Sequence, residues 1–282
     1  DAFSEEVKEE VLGLLREQLG QVDMVVYSIA APRRKDPATG ILYSSVIKPI
    51  GQPFVSKTVD FQSGHVSEIQ AEPASEEEIE HTVKVMGGED WLLWIKRLVE
   101  ARLITDGALT VAYSYIGPDI TYPIYRDGTI GRAKEHLEES AAAIDSLLQA
   151  HGGKAYVSVN KALVTRASAV IPAVPLYISL LYKVMKRKGI HEDCIEQMER
   201  LFKGMLCSGS PVETDSHGRI RLDDLETRED VQREVHDLWH KVDTENLEEL
   251  SDIEGFRTEF LQHHGFAMPG VDYSKDVDPR ML

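Results

Sequence analysis

The sequence predicts an α/β fold, a parallel sheet covered by helices on both faces. Three observations predict it. Short apolar runs of strand type alternate with helical segments along most of the chain, as expected when each crossover between parallel strands is a helix. The strand-type runs end in clusters of glycine, proline and small residues. With 282 residues and 42% hydrophobic composition, the chain can bury a substantial core.

Ser4 caps a first helix, about Glu5 to Leu19, in which Val7, Val11, Leu14 and Leu15 recur at helical spacing and Gly20 supplies the stop. Met24 to Tyr27 follows as a short strand, closed by Ser28-Ile29-Ala30-Ala31-Pro32, small residues that let backbone approach a ligand at the carboxyl end of a parallel strand. From Gly40 to Ala74, alternating runs at Ser45-Val46-Ile47, Phe54-Val55, Thr58-Val59 and Val66 to Ile69 predict a β-hairpin insertion. Ser75 and Glu78 form a capping box that opens a helix over Glu76 to Met86, and a second helix, Glu89 to Leu103, buries Trp91, Leu92 and Ile95. A strand over Ala108 to Ile116 stops at Gly117-Pro118. A long helix, Thr129 to Ala150, ends at Gly152-Gly153 and leads into a strand at Ala155 to Val159. Helices are expected over Ala167 to Lys186, Glu192 to Met205 and Val231 to Val242, with a last short strand at Ile220 to Leu222. The expected organisation is one domain over residues 1–282, with the hairpin insertion at 40–74 and a helical C-terminal extension over 190–282.

The bulk properties exclude several classes. A net charge of -17 repels polyanions, so neither nucleic acid nor an anionic membrane surface is an expected partner. Cys194 and Cys207 are the only cysteines and form no C-x-x-C pattern, which fits a reducing cytoplasm better than a disulfide framework. The apolar run Ala167 to Met185 contains Ser168, Pro172, Pro175, Ser179 and Lys183 and reads as a buried helix rather than a membrane span. No basic segment followed by an apolar stretch opens the sequence, so a secretory signal is not expected in it. Asp1 follows no Met and a capped helix begins at once, so the sequence is expected to start in mid-fold.

The constellation with most chemical content is Tyr125-Arg126-Asp127-Gly128-Thr129-Ile130-Gly131-Arg132-Ala133-Lys134, a tyrosine nine positions before a lysine near the start of a long helix. Nine helical steps of about 100° each would leave the two side chains on opposite faces, so Tyr125 must lie outside the helix for the pair to cooperate. Asp127-Gly128-Thr129 supplies the turn and the N-cap that permit it. A nearby ammonium favours tyrosinate character, and a phenol so tuned can stabilise or protonate an enolate, while the lysine can hold sugar hydroxyls. Without context the same spacing describes a partly buried tyrosine and a solvated lysine.

The context is a resemblance. Ala112-Tyr113-Ser114-Tyr115-Ile116-Gly117 through Tyr125 to Lys134 is similar to the FabV-type trans-2-enoyl-CoA and enoyl-acyl-carrier-protein reductases, whose signature is Tyr-x8-Lys. Further matches are Gly20-Gln21-Val22-Asp23, Ala30 to Arg34, Met86 to Trp91, Pro175-Leu176-Tyr177 and Gly270 to Tyr273, so the likeness covers essentially the whole chain. It implies an extended, Rossmann-type relative of the short-chain dehydrogenases, a cytoplasmic monomer that passes hydride from NADH to an enoyl thioester of coenzyme A or acyl carrier protein in fatty acid synthesis. By the same carry-over Tyr125 is the proton donor, Lys134 the ribose contact and Tyr115 a substrate contact. Asp1 and Ala2 meet the adenine, Ile29 and Ala30 the cofactor near the switch point, and Leu163, Val164 and Thr165 its nicotinamide end, where main-chain groups suit an amide. One departure is large: no G-x-G-x-x-G turn occurs in the sequence. The first strands of the sheet are therefore expected to be missing, leaving the Met24 strand as an unprotected edge and the isolated chain poorly active.

Other readings compete. A carbonyl-reducing short-chain dehydrogenase would carry Tyr-x3-Lys, but position 129 is Thr. A noncatalytic Rossmann-like binding module is the alternative from another class. Tyr113 and Tyr122 lack the motif spacing. His236 and His240 share a helix face without a third ligand, so no metal is expected. Arg33, Arg34 and Lys35 suit either a phosphate or a charged surface loop. The prolines among Ile171 to Ile178 suggest a kinked helix, serving as core or as an acyl pocket.

Overall fold

Helix α1 (Glu5–Gln18) starts where a hydroxyl can satisfy its first turn, the Ser4 side chain accepting from the Val7 amide. The computed structural model describes residues 1–29, 31–276 and 280. After α1 come β1 (Val22–Tyr27), β2 (Arg33–Lys35), β3 (Leu42–Ser44), β4 (Phe54–Asp60), β5 (His65–Ala71), α2 (Glu76–Met86), α3 (Glu89–Glu100) and β6 (Ile104–Ser114). Then follow α4 (Thr129–Leu148), β7 (Lys154–Val159), α5 (Val174–Lys188), α6 (Cys194–Leu201), β8 (Arg219–Arg221), α7 (Glu229–Lys241), α8 (Leu247–Leu250) and α9 (Ile253–His263). The chain divides into two compact units, the first made of Asp1–Val55, Gln70–Ala162 and Glu192–Arg228, the second of Ser56–Ile69, Leu163–His191 and the stretch from Glu229 onward.

The first unit holds a four-stranded parallel sheet in the order β1-β6-β7-β8. Side chains alternate across it with the two-residue period of a strand. Ala108, Ala112, Ala155 and Val157 face a cluster with Leu12 of α1, Trp91, Ile95 and Leu98 of α3, and Leu137, Ile144 and Leu148 of α4. Val111 and Ile220 face the other way, onto Leu201, Leu206 and Leu222. Full burial of the leucine, isoleucine and valine side chains among these stabilises by roughly 1.5–3 kcal/mol each. Trp91 is fully buried, and its indole N–H donates to Thr110 Oγ1 at 2.9 Å, tying α3 to the middle of β6. Among the described residues β1 pairs only with β6, so its outer edge is open as the sequence suggests.

The second unit is organised around α5, in which every residue from Val174 to Tyr182 is buried. The amine of Lys57 caps α7 by donating to the carbonyls of Trp239 and Val242 at 3.0 and 2.9 Å, a cation at the negative end of a helix.

Several expectations are corrected. Arg33–Lys35 is a strand paired with Leu42–Ser44, while Ser45-Val46-Ile47 is not a strand. Arg34 is buried and bonded to the Lys84 carbonyl and Glu89, so it is no free phosphate contact. No single helix spans Ala167 to Lys186: Ala173 takes a left-handed φ of 67°, and α5 begins after it, with Pro175 in the first turn where a missing N–H costs nothing. The prolines thus mark a helix start, not a kink. No helix among the described residues is long and apolar enough to cross a membrane. His236 and His240 face each other with Nε2 atoms 3.2 Å apart, and no group of three or more metal-ligating side chains forms among the described residues.

Candidate active site

The site is assembled at the carboxyl end of β6. Beyond Ser114 the chain turns at Gly117, whose φ of 75° suits glycine and where a Cβ would come within 2.8 Å of Thr121 and 2.9 Å of the Tyr115 ring. A short 3-10 turn, Asp119–Thr121, follows, and the Tyr125 amide donates to the Thr121 carbonyl at 2.9 Å. Tyr125 therefore lies outside α4, as its spacing from Lys134 requires. Gly131 makes the fold-back possible: a Cβ there would sit 1.8 Å from the Arg126 carbonyl oxygen. The start of α4 is secured otherwise than expected. Gly128 is the N-cap and offers no side chain; Thr129 instead donates its hydroxyl to the Val46 carbonyl at 2.6 Å and accepts from the Lys48 amide at 3.2 Å.

Tyr115 and Tyr125 meet edge to face, ring centroids 4.8 Å apart at 86°. The Tyr115 hydroxyl donates to Glu226 Oε1 at 2.9 Å, and Glu226 Oε2 accepts from the Ala162 amide at 2.7 Å. Glu226 is fully buried, as is Lys161, whose amine donates to the Ala162 carbonyl at 2.9 Å. Lys134 is half-buried and donates to the Tyr113 carbonyl at 3.0 Å, two residues before Tyr115 on the same strand. Arg126 turns outward, its guanidinium over the Tyr122 ring and paired with Asp127.

The electrostatics reverse the sequence expectation. Desolvation, with the charge of Glu226 second, pushes the Tyr125 phenol above its ordinary value, and desolvation holds the Lys134 amine down, at about 8. The ammonium is not what sets the phenol's acidity, because burial governs both groups. The shift favours the protonated phenol at Tyr125 over an incipient tyrosinate.

The remaining predicted contacts are distributed as follows. Asp1 is exposed and Ala2 half-buried; the turn that carries them is anchored by Lys8, which donates to the Phe3 carbonyl at 2.7 Å and pairs with Asp90 at 2.9 Å. Ile29 is exposed beyond β1, and Ala30 lies outside the described residues. Leu163, Val164 and Thr165 belong to the second unit. There the Val164 amide donates to the Tyr182 hydroxyl and the Thr165 amide to Ser168 Oγ, while the carbonyls of Leu163 and Thr165 accept from Ser168. These two amides donate within the protein, while the carbonyls of Leu163 and Thr165 retain acceptor capacity.

Sequence reasoning missed Glu226, Lys161, Lys8 and Asp90. Lys8 left a signal, a lysine four residues before Leu12 on the buried face of α1. Glu226 left only its place in an acidic run after the last strand.

Parallel strands sheathed by helices, with a phenol and an amine near their carboxyl ends, define an α/β protein of Rossmann type. The family model for the trans-2-enoyl-CoA reductase catalytic region matches residues 1–207, and one described as the enoyl reductase FAD binding domain matches residues 214–277. An enoyl-[acyl-carrier-protein] reductase [NADH] of Flavobacterium johnsoniae is 58% identical over 99% of this chain and 70% of its own length. A trans-2-enoyl-CoA reductase [NADH] of Clostridium perfringens is likewise 58% identical, over 99% and 71%. The crystal structure of Clostridium acetobutulicum trans-2-enoyl-CoA reductase in complex with NADH superposes with a TM-score of 0.96 at 50% identity, covering 100% of this chain and 71% of that one. That of the Treponema denticola enzyme with NAD gives 0.94 at 50% identity, over 98% and 69%. The chain belongs to the trans-2-enoyl-CoA reductase family.

The residues fit a nicotinamide cofactor: Lys134 has N–H donors beyond the one spent on Tyr113, and the carboxyl ends of the paired strands β1 and β6 are where parallel sheets receive nucleotides. Within the stretch 214–277 the acidic residues that open α7 and α9 are already paired, Asp230 with Lys188 and Glu254 with Arg257.

Proposed function

We propose that the protein reduces the trans-2 double bond of enoyl thioesters of coenzyme A or acyl carrier protein, with Tyr125 as proton donor. The observation that carries this reading is the contact of Tyr115 with Tyr125 at the end of the strand whose Tyr113 carbonyl holds Lys134. NADH, when bound, supplies the hydride that the β-carbon of the thioester receives. Negative charge then gathers on the thioester oxygen, and a protonated phenol is suited to meet it because it donates a hydrogen bond without first losing its proton. Tyr125 holds that proton firmly in the free protein and releases it only to the stronger base that forms, the enolate, whose α-carbon ends up protonated. Tyr115 orients the thioester. Lys134 directs its amine to ribose hydroxyls, and Asp1, Ala2, Ile29, Ala30, Leu163, Val164 and Thr165 are the further proposed cofactor contacts.

The test is where hydrogen arrives. Reduction of crotonyl-CoA with NADH in D2O should give butyryl-CoA with one deuterium on the α-carbon and none on the β-carbon, read by NMR. Solvent deuterium on the β-carbon overturns the reading; so does the absence of reduced product from this chain and from one extended at its N-terminus alike, which is what a noncatalytic binding module predicts.

A further inference from the structure

We propose that Glu226 is a positioning residue for this reaction: one carboxylate oxygen holds the Tyr115 hydroxyl and the other the Ala162 amide, which fixes the wall against which Tyr125 rests. The inference depends on the reading of Tyr115 and Tyr125 given above. Glu226 is fully buried, and a buried carboxylate is costly unless its oxygens find donors. Here they find two, at 2.9 and 2.7 Å, from elements far apart in sequence. Each carboxyl oxygen thus has a donor of its own, one from a side chain and one from the main chain. The Ala162 peptide is gripped on its other side too, by the Lys161 amine on its carbonyl.

The residue type is dictated by this arrangement. A carboxylate accepts at both oxygens, whereas a carboxamide of the same size offers one acceptor and one donor. A glutamine could still receive Tyr115 only by turning its NH2 toward the Ala162 N–H, two donors facing across a buried gap. Commitment of the Tyr115 proton to Glu226 also decides what Tyr115 shows its neighbours: its oxygen presents lone pairs, so it accepts and does not donate. Tyr125 is then the phenol with a proton to give. The charged and titratable groups around this wall include Glu226, Lys161, Tyr115, Tyr125 and, from α4, Lys134.

The test is a double-mutant cycle on crotonyl-CoA reduction, with folding checked by circular dichroism. Glu226→Gln is expected to lower kcat by about 10²-fold, as a small misplacement beside reacting atoms does, with KM for NADH within about threefold of the parent. Tyr115→Phe added to Glu226→Gln should cost little more than the larger single loss, since both disturb one contact. A parental kcat in Glu226→Gln, or losses that multiply in the double variant, overturns the proposal. If the glutamine variant does not fold, Glu226→Asp decides: it keeps the charge but is one methylene too short to reach both donors, so a lowered kcat supports the role and a parental kcat refutes it. Tyr125→Phe run alongside separates the two ideas, because parental turnover there defeats the assignment of the acid whatever Glu226 does.

Discussion

Lys134 shows how one side chain trades stability for a site. Its amine is carried into a poorly solvated place with one carbonyl partner, and desolvation lowers its pKa from 10.5 to about 8. In the unfolded chain the amine binds its proton more tightly, so between those two values the unfolded state holds more protons and native stability rises with pH. Lys134→Met, of similar length and without charge, should therefore melt at a higher temperature than the parent near pH 7, with the gap narrowing as pH climbs through 8 toward 10.5. It should also bind NADH more weakly in a fluorescence titration. A gap that widens with rising pH would show that desolvation is not the cause. At this scale the sequence revealed that Tyr125 lies outside the helix that carries Lys134, since a spacing of nine cannot bring the two together inside one helix and a glycine-containing turn stood at the right place. Glu226 was illegible, because its significance arises only when Tyr115 and Ala162 are brought to it from elsewhere in the chain.

Elements were legible wherever local chemistry decides them. The Ser4 cap and the Ser75/Glu78 capping box sit where the pattern put them, and the strands β6 and β7 and helix α4 follow their apolar periodicity. The failures have local causes as well. Helix α3 stops at Glu100 instead of running to Leu103, because Arg102 adopts a left-handed φ of 58° and the Leu103 amide closes back onto the Leu98 carbonyl. This is the closure at which glycine is preferred, and an arginine gives no warning of it. The Arg102 side chain is exposed, so Arg102→Gly removes the strain of a Cβ in that conformation while losing little else. It is expected to stabilise by about 0.5–1 kcal/mol after the added freedom of the unfolded chain is allowed for, read as a raised midpoint in urea. A lowered midpoint would mean that the arginine side chain contributes more than its conformation costs.

At the scale of the molecule, the two-faced sheet was readable because Ala, Val and Ile fill the central strands while polar residues mark the loops. What could not be read is which separated stretches gather into each compact unit, since the second draws on three of them and composition does not change at the joins. The open edge of β1 exposes Val26 and Ile29, and with Val11, Leu15, Met24 and Trp94 it lines an apolar groove of about 300 Å³. Such an edge is a template for a further strand. The net charge of -17 disfavours nonspecific attraction of polyanions, so the proposed phosphate-bearing ligands must be recognised by local contacts rather than by a basic field. The account rests on a phenol that keeps its proton until the thioester needs it. The most direct check is the steady-state rate of NADH-dependent crotonyl-CoA reduction by folded Tyr125→Phe: a loss of about 10²- to 10⁴-fold in kcat/KM is predicted, and turnover within a few-fold of the parent would contradict it.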